Sequence, residues 1–392
     1  MKKIPYSKQF IDLKDLTYVN QVLKSENLTK GNQTIKFEKK VNSFCRSKYS
    51  LAVVNASNAL LLACKVLQID HHDIVWTTAV TYIASINCAL HCKANIDLVD
   101  IDYNTNNISL EELKKKLIIA KSINKLPTLI VLVHLGGLPC DLKEIYQLSK
   151  IYKFKIIEDA SHAFGSKYLK KRIGNCQFSD LTIFSFHPVK NITSAEGGMI
   201  TTNNKIYYNK LIELRENGQT FDGINSKKFP TFYDIKELGF NSRINEINST
   251  LGCSQISKIN LHINKKKKIA NEYYKELKKL KEIILPIKLN DRESALHLYI
   301  IKIKFNELKT NKFNFINLLK KEKIFVNTHY IPLFKFTLLK SKIKNKFNFK
   351  NSNKYYDTAL SLPIYPQMSR AEQKKVVNKI KEIIKKYRYT NS

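Results

Sequence analysis

Phe184-Ser185-Phe186-His187-Pro188-Val189-Lys190-Asn191-Ile192-Thr193-Ser194-Ala195-Glu196-Gly197-Gly198 decides how this chain is read. The run just before it, Leu181-Thr182-Ile183-Phe184, has the texture of a buried strand. That strand must break at His187-Pro188. Proline lacks the ladder donor and pushes the preceding residue out of the helical region. The turn therefore presents one lysine, Lys190. Gly197-Gly198 permits a second tight turn into the strand Met199-Ile200-Thr201-Thr202. A lysine held on a rigid turn between two strands can form a Schiff base once its amine is neutral. The chain carries 67 Lys and Arg, nearly all expected in solvent, so Lys190 gains meaning only from its neighbours.

At 392 residues the chain is long enough for two domains and a large core. Met1-Lys2-Lys3-Ile4-Pro5 leads into polar residues rather than an apolar leader. The most apolar run, Leu129-Ile130-Val131-Leu132-Val133, is far shorter than the roughly 18 residues of a membrane span. A soluble, cytoplasmic protein with no membrane partner is expected. The seven cysteines show no C-x-x-C pairing. Cys88 and Cys92 lie on a predicted apolar helix and read as core filler, so no metal site is expected. The formal charge of +34 could mark a nucleic-acid binder. The lysines are spread widely, however, and the chain is rich in Asn and Ile. Bulk composition is the better account, and no nucleic-acid partner is expected. A diffuse positive field would steer a diphosphate substrate.

Residues 1–14 read as an extended arm, 15–256 as a large domain, and 257–392 as a small domain with its linking helix. From Leu51 to about residue 205, short apolar runs alternate with helical stretches. The strands are Leu51–Val54, Ile74–Trp76, Ile96–Val99, Pro127–Val133 and Lys155–Glu158. One helix, Glu111–Ile118, has Ser109 available as its cap. This alternation predicts an α/β fold with a mostly parallel sheet covered by helices on both faces. Ligands on such sheets gather at the carboxyl ends of the strands. Lys265-Lys266-Lys267-Lys268 reads as the solvated start of a charged helix reaching about Leu280. Beyond it come the strand His297–Ile303, a helix near 312–322, the strand Ile324-Phe325-Val326 and a terminal helix from about 370. Asn345–Asn353 reads as a surface loop.

Glu158-Asp159-Ala160-Ser161-His162-Ala163 ends a predicted buried strand, so Asp159 should face the cleft. A carboxylate there is costly unless paired. The protonated nitrogen of pyridoxal 5′-phosphate (PLP) would pair it, since that cofactor needs its ring nitrogen protonated. Capping of the next helix is the alternative role for Asp159, and a satisfied core histidine the alternative for His162. Asn55-Ala56-Ser57-Asn58-Ala59 lies between a strand and a helix, where free N–H groups make an anion seat. A helix dipole contributes only about 0.3–1 kcal/mol per charge, so hydroxyls must help, and Ser57 and Ser185 are the candidates. Tyr82 follows the strand Ile74–Trp76 and could stack on a flat ring.

The lysine stretch resembles the motif of the DegT/DnrJ family of sugar-nucleotide aminotransferases, PLP enzymes with the aspartate-aminotransferase fold (PLP fold type I). The likeness covers essentially the whole chain. It includes Ile4-Pro5-Tyr6-Ser7, Leu28-Thr29-Lys30-Gly31, Glu158–Gly165, Leu238–Arg243, His297-Leu298-Tyr299 and Thr328–Pro332. The resemblance implies that Lys190 is catalytic and cofactor-bearing. It implies that Asp159 meets the ring nitrogen, that His162 neighbours the phenolic oxygen and that Tyr82 stacks on the ring. Ala56, Ser57 and Ser185 would hold the phosphate, and Asn241 would complete that seat from the other subunit of a homodimer. Asn58 and Ser57 depart from the family pattern, which favours Ala or Ser and Thr there. Within the family the nearest likeness is to the pseudaminic acid branch. That implies a UDP-linked 4-keto-6-deoxy-N-acetylhexosamine as substrate and L-glutamate as donor. A transaminase for another 4-keto sugar, such as the one for 4-amino-arabinose, stays open. So do a non-catalytic sensor of the same fold and a basic nucleic-acid-binding protein.

Overall fold

The computed structural model of the protein describes residues 3–220, 233–343 and 348–389. Seven strands form the main sheet: β1 (Tyr49–Val53), β2 (Ile74–Thr78), β3 (Asn95–Val99), β4 (Leu129–Val133), β5 (Lys155–Asp159), β6 (Leu181–Ser185) and β7 (Gly198–Thr202). Their spatial order is β1-β7-β6-β5-β4-β2-β3. All neighbours are parallel except β7, which runs against both β1 and β6. The expected α/β fold with a mostly parallel sheet is therefore present. Alternation within each strand sends side chains to two different cores. Ile130, Leu132, Ile156 and Phe184 enter one core, with Phe37, Phe186 and Ile256. Leu129, Val131, Ile157 and Ile183 enter the other, with Leu60, Leu62 and Ile200. Each such side chain contributes about 1.5–3 kcal/mol by burial, which is why the strands read as unbroken apolar runs.

A smaller antiparallel sheet joins β8 (Ile283–Ile284), β9 (Tyr299–Ile303) and β10 (Ala359–Leu362). Its core includes Tyr273, Ile301, Phe315, Leu319, Val376 and Ile380. The terminal helix Arg370–Tyr387 opens on a reciprocal cap between Ser369 and Glu372, worth about 1 kcal/mol. Ser109 caps the helix Leu110–Ser122 as expected, accepting from the Glu112 N–H.

Four local readings need correction. The charged helix runs Ile259–Leu277, so the four lysines lie inside it, and Lys266 is 1% exposed. Ile324-Phe325-Val326 is not a strand; Ile324 makes one parallel bridge to Ile4, and its apolar side chain serves the small core. The arm stays extended only to Asp12, which caps the helix Leu13–Leu23. The Asn345–Asn353 stretch lies partly outside the described residues, and from Lys350 it is a helix ending at Thr358. The Asp100 carboxylate satisfies the first N–H groups of that helix, accepting from Asn351 and Ser352 at 2.9 Å each. A cap supplied from 251 residues away leaves no local sequence signal.

Candidate active site

β1, β2, β4, β5 and β6 point the same way, and their carboxyl ends open into one cavity of about 730 Å³. Asp159, the last residue of β5, lies at the cavity and is 5% exposed. Its Oδ2 accepts from Ser85 Oγ at 2.6 Å, and its Oδ1 accepts from the Ser161 N–H at 3.1 Å. Among the described residues no cation pairs with it within 4 Å. A buried carboxylate held by two donors and no cation is a ready seat for a ligand's positive charge.

Lys190 stands on the turn after β6, its N–H donating to the His187 carbonyl at 2.9 Å. Its side chain reaches the same cavity. Burial pulls its amine down to about 8, with the Asp159 charge opposing the shift. The arm fastens this turn from outside, since Ser7 Oγ donates to the Val189 carbonyl at 3.0 Å. Tyr6 lines the cavity beside it.

The helix Ala56–Val66 starts at the cavity wall. Asn55 Oδ1 caps the Asn58 N–H at 2.9 Å, which leaves the Ala56 and Ser57 N–H groups for an anion. Ser57 and Ser185 both line the cavity. Gly198 is required here: a Cβ at that position would lie 2.5 Å from the Asn55 carbonyl and 2.8 Å from the Ala56 nitrogen. The Asn58 departure also has a local explanation. Its Oδ1 accepts from Ser242 Oγ at 3.3 Å, so the side chain ties the helix start to the 241–243 segment.

Tyr82 presents an open ring, 57% exposed, with its centroid 5.8 Å from that of Tyr330. His162 is buried, and both ring nitrogens are engaged. Nδ1 accepts from the Gly136 N–H at 3.3 Å, and Nε2 meets the Tyr330 hydroxyl at 3.1 Å. Burial and the nearby Lys190 push His162 well below the usual imidazole range. Burial does the same to His297, and it takes His329 to about 4 with help from Lys190. All three imidazoles are therefore shifted toward the neutral form. Behind β5, His134 Nε2 donates to Glu158 at 2.8 Å and Nδ1 accepts from the Cys140 N–H, which anchors the strand end.

Seven of the eight expected residues therefore meet at one cavity: Ala56, Ser57, Tyr82, Asp159, His162, Ser185 and Lys190. Asn241 does not. It is exposed, outside the cavity, and bridged through its backbone to Glu216. Reading the sequence missed Ser85, Tyr6, Tyr330 and His329. Ser85 had no signal, being a serine in an apolar helical stretch. Ser85→Ala should weaken the Asp159 seat by about 1.5–3 kcal/mol, the worth of a hydrogen bond to a charged group. Titration of the apoprotein with PLP reads that loss directly.

The model of the DegT/DnrJ/EryC1/StrS aminotransferase family matches residues 9–381. A UDP-4-amino-4,6-dideoxy-N-acetyl-beta-L-altrosamine transaminase of Campylobacter jejuni is 34% identical over 384 residues, covering 98% of each chain. Among solved structures, Helicobacter pylori PseC, an aminotransferase involved in the biosynthesis of pseudoaminic acid, superposes with a TM-score of 0.90. It is 27% identical, with 98% of this chain and 100% of that chain covered. The Streptococcus pneumoniae protein Spr1654, solved in PLP and PMP forms, reaches TM-scores of 0.86 and 0.88. It is 26–27% identical over 98% of this chain and 99% of that chain.

The residues present fit PLP. The Asp159 carboxylate, with no cation within 4 Å among the described residues, can meet a ring cation, helix N–H groups and two hydroxyls can meet a phosphate, and burial draws the Lys190 amine down to about 8. The chain belongs to the DegT/DnrJ/EryC1/StrS aminotransferase family and is a PLP-dependent sugar aminotransferase.

Proposed function

We propose that the protein moves an amino group from L-glutamate to C4 of a UDP-linked 4-keto-6-deoxy-N-acetylhexosamine of the β-L-arabino configuration, a step in pseudaminic acid biosynthesis. The end-to-end similarity to the Campylobacter jejuni transaminase supports the substrate class. The observation that carries the chemistry is the buried Lys190 amine, drawn down to about 8, in a cavity that also holds the Asp159 carboxylate.

When bound, PLP supplies the electron sink that makes a carbon–hydrogen bond beside nitrogen acidic. The chain supplies the rest. Lys190 Nζ takes the proton from the α-carbon of glutamate in one half-reaction and returns one to C4 of the sugar in the other. Asp159 would hold the positive charge of the ring nitrogen. The Ala56 and Ser57 N–H groups, with the Ser57 and Ser185 hydroxyls, would bind the phosphate. Tyr82 would offer a stacking surface to the ring. In this reading residues 15–256 carry the cofactor. Residues 257–392 form the smaller domain, and Asn327–Ile331 extends from it to the cavity. The diphosphate of the sugar nucleotide anchors the substrate away from the reacting carbon, so binding energy there can orient C4.

A competition between the β-L-arabino and α-D-xylo 4-keto epimers, with glutamate as donor, tests the substrate. A clear preference in kcat/KM for the L-sugar is expected. A preference for the D-sugar discards the pseudaminic assignment and leaves the aminotransferase standing.

The proposed assembly is a homodimer in which Asn241 serves the partner's phosphate seat. Its exposed position, outside the cavity of its own chain, is consistent with that role. Inactive Lys190→Ala and Asn241→Asp chains, mixed and allowed to exchange, should then recover activity. A mixed dimer contains one site with both residues intact. With exchange verified, no recovery means that Asn241 acts within its own chain.

A further inference from the structure

Lys266 is a lysine where the fold calls for an apolar residue. On the helix Ile259–Leu277 the buried positions are Ile259, His262, Ile263, Lys266, Ile269, Ala270, Tyr273 and Leu277, one continuous stripe at helical spacing. The flanking lysines turn away: Lys265 lies over the Phe10 ring and Lys267 pairs with Glu293. Lys266 alone goes inward. Its amine donates to Asn191 Oδ1 at 2.9 Å, and among the described residues that is its one hydrogen-bond partner. Among the described residues no carboxylate pairs with it, and burial pulls the amine down to about 7. Burying such a group is costly, so a compensating use is expected at its single contact.

That contact is the residue next to Lys190. Asn191 Nδ2 donates to the Phe164 carbonyl at 3.1 Å and to the Ala295 carbonyl at 3.3 Å. The Asn191 carbonyl accepts from His262 Nδ1 at 3.2 Å. With Lys266 on Oδ1, the carboxamide is held from three directions. Its plane is fixed, and the His262 contact holds the Asn191–Ile192 peptide that follows it.

We infer that Lys266 is a positioning residue for Lys190: it locks the Asn191 carboxamide, and through the shared backbone it sets the turn that aims the Lys190 amine into the cavity. The inference rests on the reading of Lys190 as the cofactor-bearing lysine. It touches neither cofactor nor substrate, so its effect should fall on kcat and leave KM for the sugar nucleotide nearly unchanged.

The test uses PLP-loaded full-length protein in four forms: wild type, Lys266→Met, Asn191→Ala and the double variant. In Lys266→Met the visible circular dichroism of the bound cofactor should fall while the far-ultraviolet spectrum holds. Its kcat should fall about ten- to a hundredfold, the range for a lost charge-assisted hydrogen bond and a misplaced reacting group. The double variant should be no worse than Asn191→Ala, because both changes break one link. Lys266→Arg, which keeps a donor at that place, should recover most of the loss. Should Lys266→Met fail to fold, Lys266→Gln gives the same comparison, its polar head being too short to reach Asn191. Unchanged cofactor dichroism and kcat, or losses in the double variant that add, overturn the positioning role. Borohydride labelling of the wild type separates the two failures. A label on Lys190 with a silent Lys266→Met overturns the inference alone, and a label elsewhere overturns both.

Discussion

Lys190→Ala should bind PLP and fail to turn over. The phosphate seat at Ala56, Ser57 and Ser185 and the carboxylate of Asp159 do not depend on the lysine, so cofactor affinity should persist in weakened form. Turnover should not persist. Removing a positioned acid–base group costs roughly 10²–10⁴-fold in rate, and the covalent anchor is lost as well. Single-turnover assays with glutamate, run beside cofactor titration, separate the two effects. The wild-type amine adds a pH signature. Its proton leaves at about 8 because burial disfavours the charged form. Only the neutral amine attacks a carbonyl, so the rate at which apoprotein takes up PLP covalently should rise with pH through about 8 and level off above it. A flat profile across that range would mean that the attacking amine is not this one.

Asp159→Asn should have the second-largest effect, and its sign should differ between apo and loaded protein. In the loaded protein the amide cannot hold a proton on the ring nitrogen. Breaking a buried ion pair by removing one partner costs about 3–5 kcal/mol, or roughly 10²–10³-fold and upward in kcat. In the apoprotein Asp159 is a buried charge with two donors and no cation. Replacing it with a neutral amide should leave the melting temperature unchanged or raise it. A variant that lost turnover together with apoprotein stability would mark Asp159 as structural, and near-normal turnover would remove it from the mechanism.

The parts of this site that were legible in the sequence are those whose physics is local. Pro188 breaks the strand before Lys190 whatever surrounds it, whereas after Lys190 it is Ala195, not Gly197 or Gly198, that takes the left-handed conformation. The apolar runs of β4 and β6 have the length and texture of strands buried on both faces. Asp159 stood out because a carboxylate at the end of such a strand needs a partner. The parts that were not legible depend on distant contacts. Ser85 becomes meaningful only when β2 is laid two strands from β5 and its hydroxyl comes within 2.6 Å of Asp159. The helix from Lys350 takes its cap from Asp100. Lys266 hides in a run of four lysines, and only the packing of its helix shows which one goes inward. Gly136 and Tyr330 hold the two nitrogens of His162, and Tyr330 reaches the site on a segment 168 residues further along the chain.

Borohydride reduction of the PLP-loaded protein, followed by peptide mapping with and without prior addition of L-glutamate, tests the central claim most directly. The predicted result is a phosphopyridoxyl group on Lys190 in the untreated protein and its disappearance once glutamate has discharged the linkage. A label on any other lysine, or a Lys190 label that no amino donor removes, would contradict the account.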